Sequence, residues 1–106
     1  MSEMPKCKIT VIKRMLHQDL ADEYLKNTEG LGLCDQLSDG QEFILDTENP
    51  FAMPEGFCPW AWADIRHDLM TIVVGGNMPW YKQPGTLITS CTDWFRPVIF
   101  KVERME

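Results

Sequence analysis

The residues best suited to chemistry in this chain are its four cysteines, Cys7, Cys34, Cys58 and Cys91. Cys58 has the strongest physical case. It precedes Pro59, a residue favoured at the first position of a helix, so it stands where unpaired backbone N–H groups and the helix dipole favour an anion. A thiol placed there can serve as a nucleophile, a redox centre or a soft ligand. The second cysteine of a C-x-x-C pair is missing, because Ala61 occupies that position. That argues against a dithiol oxidoreductase acting through adjacent cysteines. A plainer reading stands beside it: a small apolar side chain wedged next to Phe57 and Trp60, since cysteine is among the most buried residue types. Cys34 and Cys91 fall in or beside loops. Together with Cys58 they are the set that would hold a soft metal ion, completed by His17 or His67, although no two are spaced as a chelate. A redox switch pairing Cys58 with Cys34 or Cys91 would use the same thiols. Cys7 lies on the apolar face of a predicted strand and is expected in the core.

Polar groups that would orient a ligand come from two other stretches. Asp93 and Arg96 flank a turn, and Arg96 suits recognition of a carboxylate. The structural alternative is that Asp93 caps the turn and Arg96 pairs with it. Asp64, His67 and Asp68 recur at i, i+3 and i+4 and share one face of a predicted helix. A solvated face accounts for that trio, while Asp64, near the helix start, is placed to orient Cys58 or a loop. Of the four tryptophans, Trp62 belongs to a helical core stripe. Trp60, Trp80 and Trp94 sit at element ends, where an aromatic pocket or an interface would place them. Trp60 and Trp94 are the two assigned to a ligand pocket, and core packing is expected to use at least two of the three.

The elements that must hold these residues follow from hydrophobic spacing. Cys7 to Arg14 alternates, with Cys7, Ile9 and Val11 on one face and Lys8, Thr10 and Ile12 on the other, and predicts a strand. The basic pairs Lys6/Lys8 and Lys13-Arg14 read as strand-edge charges. Asp19 to Lys26 predicts a short helix with Leu20, Tyr24 and Leu25 on one side, broken by the glycines of Asn27 to Gly32. A second strand is expected over Gln41 to Asp46, after the turn Ser38-Asp39-Gly40. Asn49 to Pro59 is rich in proline and reads as a structured loop. The main helix starts at Pro59, carries the stripe Trp62, Ile65, Leu69, Ile72 and Val73, and stops at Gly75-Gly76. Thr86 to Thr92 and Pro97 to Arg104 predict two more strands. Gly76-Asn77-Met78-Pro79-Trp80 echoes Gly56-Phe57-Cys58-Pro59-Trp60, but Pro84-Gly85 closes it off, so a repeated turn is expected. This order predicts an α+β fold, a four-stranded and mainly antiparallel sheet with one long helix packed on a face and one short helix.

Three blocks carry a resemblance. They are Gly56-Phe57-Cys58-x-Trp60-Ala61-Trp62-x-Asp64-Ile65, then Gly75-Gly76, then Cys91-Thr92-Asp93-x-x-Arg96-Pro97-Val98-x-Phe100. With Cys34 and Gly40-x-Glu42-Phe43, they resemble a family of small prokaryotic proteins to which no activity is assigned. The likeness runs over nearly the whole chain. It implies an architecture and a choice of residues, and it implies no reaction. The family pattern has glycine after Cys-Thr-Asp where this chain has Trp94, which implies an altered turn and an indole filling nearby space.

The totals narrow the classes further. A chain of 106 residues fits a single domain, 1–106. An apolar fraction of 44% and a charged fraction of 25% are those of a globular protein. A net charge of −6 argues against nucleic acid and anionic membranes as partners. The stretch Met1 to Lys8 lacks the apolar run of a secretory signal, and Leu69 to Val74 is too short to span a bilayer. The expected compartment is therefore the reducing cytoplasm, where cysteines stay thiols. No G-x-G-x-x-G, P-loop, H-E-x-x-H or G-x-S-x-G occurs. The first reading is a small binding or sensing module, its pocket built from Cys34, Cys58, Cys91, Trp60 and Trp94 for a small-molecule ligand or soft metal ion. The second is a thiol-dependent enzyme with Cys58 as catalytic residue, for which no partner base is evident. The third is an interaction protein that uses its aromatic loops, most simply as a homodimer.

Overall fold

The computed structural model describes residues 4–105. Met1, Ser2 and Glu3, which enter the reading of the N-terminus as lacking a signal, lie outside the described residues, as does Glu106. Strands β1 (Cys7–Arg14), β2 (Glu42–Ile44), β3 (Thr86–Ser90) and β4 (Val98–Arg104) form one antiparallel sheet in the order β2-β1-β4-β3. Helices α1 (Gln18–Tyr24) and α2 (Pro59–Val73) complete the expected α+β fold.

The alternation of β1 sets the inner face. Cys7, Ile9 and Val11 are fully buried, and register places Ile9 between Phe43 and Val102, with Val11 opposite Phe100. Against this face α2 lays its stripe of Trp62, Ile65, Leu69, Ile72 and Val73. Phe57, just before the helix, wedges its ring 4.9 Å from Phe43, 5.3 Å from Phe100 and 5.7 Å from Trp62. The start of α2 is thereby fixed over the sheet.

The other end of α2 is held by a residue of β4. Arg104 donates from Nη1 to the carbonyls of Ile72 (2.9 Å) and Gly76 (2.6 Å), and from Nη2 to Asn77 Oδ1 (2.6 Å). A cation at a helix C-terminus meets both the orphan carbonyls and the negative end of the dipole. Gly75 takes φ +97°, the left-handed turn that stops the helix. The echoed Pro79-Trp80 forms a turn and no helix.

Several boundaries moved. The short helix ends at Tyr24, because Leu25 is already extended while its N–H still reaches Ala21 O. Only Ala21 of that helix is buried; Leu20 and Tyr24, expected to face inward, are exposed. The second strand shrinks to Glu42–Ile44, yet Gln41 O and Leu45 N keep bonds to β1. The third strand stops at Ser90, since the Thr92 N–H leaves the ladder for a side chain of α2. No helix among the described residues is long and apolar enough to cross a membrane.

Candidate functional site

Cys34, Cys58 and Cys91 line one pocket of about 300 Å³. Three separate segments deliver them. Cys34 lies in the loop between α1 and β2, and Arg14 clamps that loop. Its Nη1 donates to the carbonyls of Cys34 (2.9 Å) and Leu37 (3.2 Å), while Nε donates to Asp39 Oδ1 (2.9 Å). Cys58 occupies the N-cap of α2 with extended backbone, and its side chain makes no capping bond. Cys91 follows β3, where its N–H donates to Val98 O at 3.1 Å and its Sγ accepts the Val98 N–H at 3.3 Å. All three are free and partly buried.

The carboxylates nearby are structural anchors. Asp64 Oδ2 accepts the Thr92 N–H at 2.8 Å, and Asp68 Oδ2 accepts the Thr89 hydroxyl at 2.6 Å. This corrects the reading of Asp68 as part of a solvated helix face, while Asp64 orients a loop, as its place near the helix start predicts. Two of the three tie α2 to the end of β3, and His67 alone is exposed. Asp93 Oδ1 accepts the N–H groups of Phe95 (3.0 Å) and Arg96 (2.9 Å), capping the turn, and Oδ2 stands 3.7 Å from Arg96 Nε. The structural alternative for that pair thus holds. Even so, Asp64, Asp93 and Arg96 all line the pocket.

The tryptophans divide sharply. Trp62 is core, whereas Trp60, Trp80 and Trp94 are 83%, 76% and 70% exposed. The expectation that core packing would use at least two of the three is overturned, because each projects from a turn or helix end and leaves the core to Phe57 and Trp62. Trp60 lines the pocket; Trp94 does not, although its neighbour Asp93 does. Nor does the Trp94 indole fill space beside the turn, and its backbone avoids the left-handed region that glycine would favour.

The thiols share a cavity without sharing a coordination sphere. Among the described residues, no group of three or more His, Cys, Asp or Glu side chains is arranged to hold a metal ion. His17, the N-cap residue of α1, and His67 are both outside the pocket lining. Cys7 is a core residue, fully buried, and burial pushes its thiol pKa up against a smaller opposing influence of Arg104.

Gln36, Leu37, Ala61, Thr92 and Val98 complete the lining. They carry no chemical signal in sequence and enter only because their neighbours converge. Arg14 is the more instructive omission. Its place in the sequence reads as a strand-edge charge, but its partners lie far along the chain, and a register shift between Val11 and Lys13 breaks the alternation that would place it. The chain matches no known family model, no curated protein and no solved structure.

The pocket therefore combines apolar walls (Leu37, Ala61, Val98), three soft thiols, and an arginine whose one ion-pair partner among the described residues is Asp93. Such a mixture can enclose a small molecule and orient it. It lacks a histidine to serve as proton acceptor for a thiol.

Proposed function

We propose that the chain is a small-molecule binding or sensing module whose site is the pocket at the N-terminus of α2. One observation supports this reading above others: Cys34, Cys58 and Cys91, distant in sequence, converge on a cavity of about 300 Å³ that Arg96 and Trp60 also line. That volume lies at the small end of ligand sites, which are mostly apolar with a few placed polar groups. Cys58 contributes a soft contact at the helix start, Arg96 a planar donor, and Trp60 an aromatic rim. Binding is favoured over turnover because, among the described residues, no imidazole lines the pocket with the thiols.

The experiment is native mass spectrometry of protein prepared without oxygen, beside its denatured mass. A native excess that disappears in Cys58→Ser supports the reading and gives the ligand's mass. A bare native mass, or an excess that Cys58→Ser retains in full, rejects this pocket as the site.

A further inference from the structure

The sheet has a second face. Helix α2 covers the side bearing Ile9, Val11, Phe100 and Val102, whereas the opposite side is open at Ile44 and Ile88, 46% and 41% exposed. Register fixes its pattern. In one row Lys8 stands opposite Ile44 and Glu103, and Glu103 opposite Thr86. In the next, Thr10 stands opposite Glu42 and Lys101, and Lys101 opposite Ile88.

Charge distinguishes this face from the rest of the surface. Lys8 pairs with Glu42 at 3.4 Å and Lys101 with Glu103 at 3.0 Å, so the central charges balance, and Lys13, opposite Ile99, adds one positive charge at the end of the face. The chain as a whole carries −6, which leaves the excess negative charge elsewhere, where two copies repel. Near its middle Thr10 Oγ1 and Glu103 Oε2 are covered by neighbouring side chains, while Lys8, Lys101 and Glu103 stay partly exposed. Pairing through the β3 edge is obstructed, because the Tyr81 hydroxyl accepts the Ile88 N–H (3.1 Å) and donates to Ile88 O (3.4 Å).

We propose that this face docks a second copy of the chain, the two sheets stacking about a twofold axis that runs along the strands between β1 and β4. That line is the centre of the order β2-β1-β4-β3, and rotation about it lays β1 of one copy over β4 of the other. Lys8 and Glu103 are paired across the same line. Rotation therefore brings Lys8 over the second copy's Glu103 and Glu103 over its Lys8, a self-complementary arrangement that an isologous interface requires. Ile44 and Ile88 flank the charged centre on the outer strands. With strands about 4.8 Å apart and about 3.3 Å per residue, the face offers roughly 400 Å² per copy. Standard interfaces bury about 800 Å² per partner, so this dimer is weak and depends on concentration. The inference is independent of the pocket and of its ligand.

Sedimentation velocity over a concentration series tests it. The parent chain is expected to move from monomer toward dimer as concentration rises. Lys8→Glu and Glu103→Lys, each alone, lower the association constant more than about tenfold by facing like charges across the axis. Mixed in equal amounts, these two variants are expected to associate again, because each supplies the charge that the other lacks; an intramolecular effect would not recover on mixing. Ile88→Glu, at an exposed position, also weakens association, because the rotation sets residue 88 over the second copy's Glu42. A parent that stays monomeric at the highest concentration overturns the proposal. So does a mixture that fails to recover, or a dimer that survives Ile88→Glu and dissociates when Trp80 or Trp94 is changed to Ala.

Discussion

Cys7 and Cys58 carry the same side chain in opposite surroundings, and their behaviour should diverge accordingly. Burial raises the Cys7 pKa above the ordinary value of 9.0, so the folded chain keeps a proton that the unfolded chain releases in alkali. The sign follows from linkage. The contribution is complete below the unfolded value and is lost as pH rises from there toward the folded value. Urea unfolding from neutral to alkaline pH should show stability falling above about pH 9, by at most about 1.4 kcal/mol per pH unit for this one proton. Cys7→Ala is expected to be less stable at neutral pH and to lose that part of the slope. Arg14 also acts at the level of one residue, holding the Cys34–Asp39 loop through three hydrogen bonds. Its ion pair with Asp39 is partly exposed and contributes little, whereas its bonds to two carbonyls matter more. Arg14→Ala should cost about 1–2 kcal/mol in urea unfolding and speed alkylation of Cys34 by iodoacetamide. Unchanged labelling of Cys34 would mean that Arg14 does not hold the loop.

Helix α2 is positioned by devices that differ at its two ends. At the start, Phe57 packs among Phe43, Trp62 and Phe100, and Asp64 reaches across to Thr92. Phe57→Ala is expected to destabilise the fold by about 3–5 kcal/mol, as large-to-small changes in an aromatic core do. At the finish, Arg104 holds the last carbonyls and Asn77, and Asn77 Oδ1 in turn accepts the Gly85 N–H at 2.6 Å. Arg104→Met should cost about 2–3 kcal/mol. Amide hydrogen exchange would then locate the loss: faster exchange is expected in the last turn of α2 and around Gly85, while the pocket end stays protected. Uniformly faster exchange would show instead that α2 opens as one unit.

At the scale of the molecule, one core cluster joins both ends of α2 to the sheet, and Cys7 lies inside it at 0% exposure. Its thiol should therefore label only through global unfolding, at a rate that tracks the stability of each variant, while Cys34, Cys58 and Cys91 label faster in the folded chain. Equal rates for all four would contradict this division. The sequence by itself determined the elements and the inner face. Period-two spacing in β1 and β4 and the Trp62–Val73 stripe are local patterns, and Pro59 and Gly75 punctuate the helix with no help from distant residues. It also placed Cys58 at the start of α2, because Pro59 marks where that helix begins. Only the tertiary structure decided that Cys34, Cys58 and Cys91 share a cavity, that Asp64 and Asp68 tie α2 to β3, and that three tryptophans face outward. Each of those facts depends on how segments far apart in the chain lie against one another. Spacing encodes which side of an element is apolar; what a polar or aromatic side chain meets across the fold is set by strand order, by the bulge after Val11 and by the path of the loops.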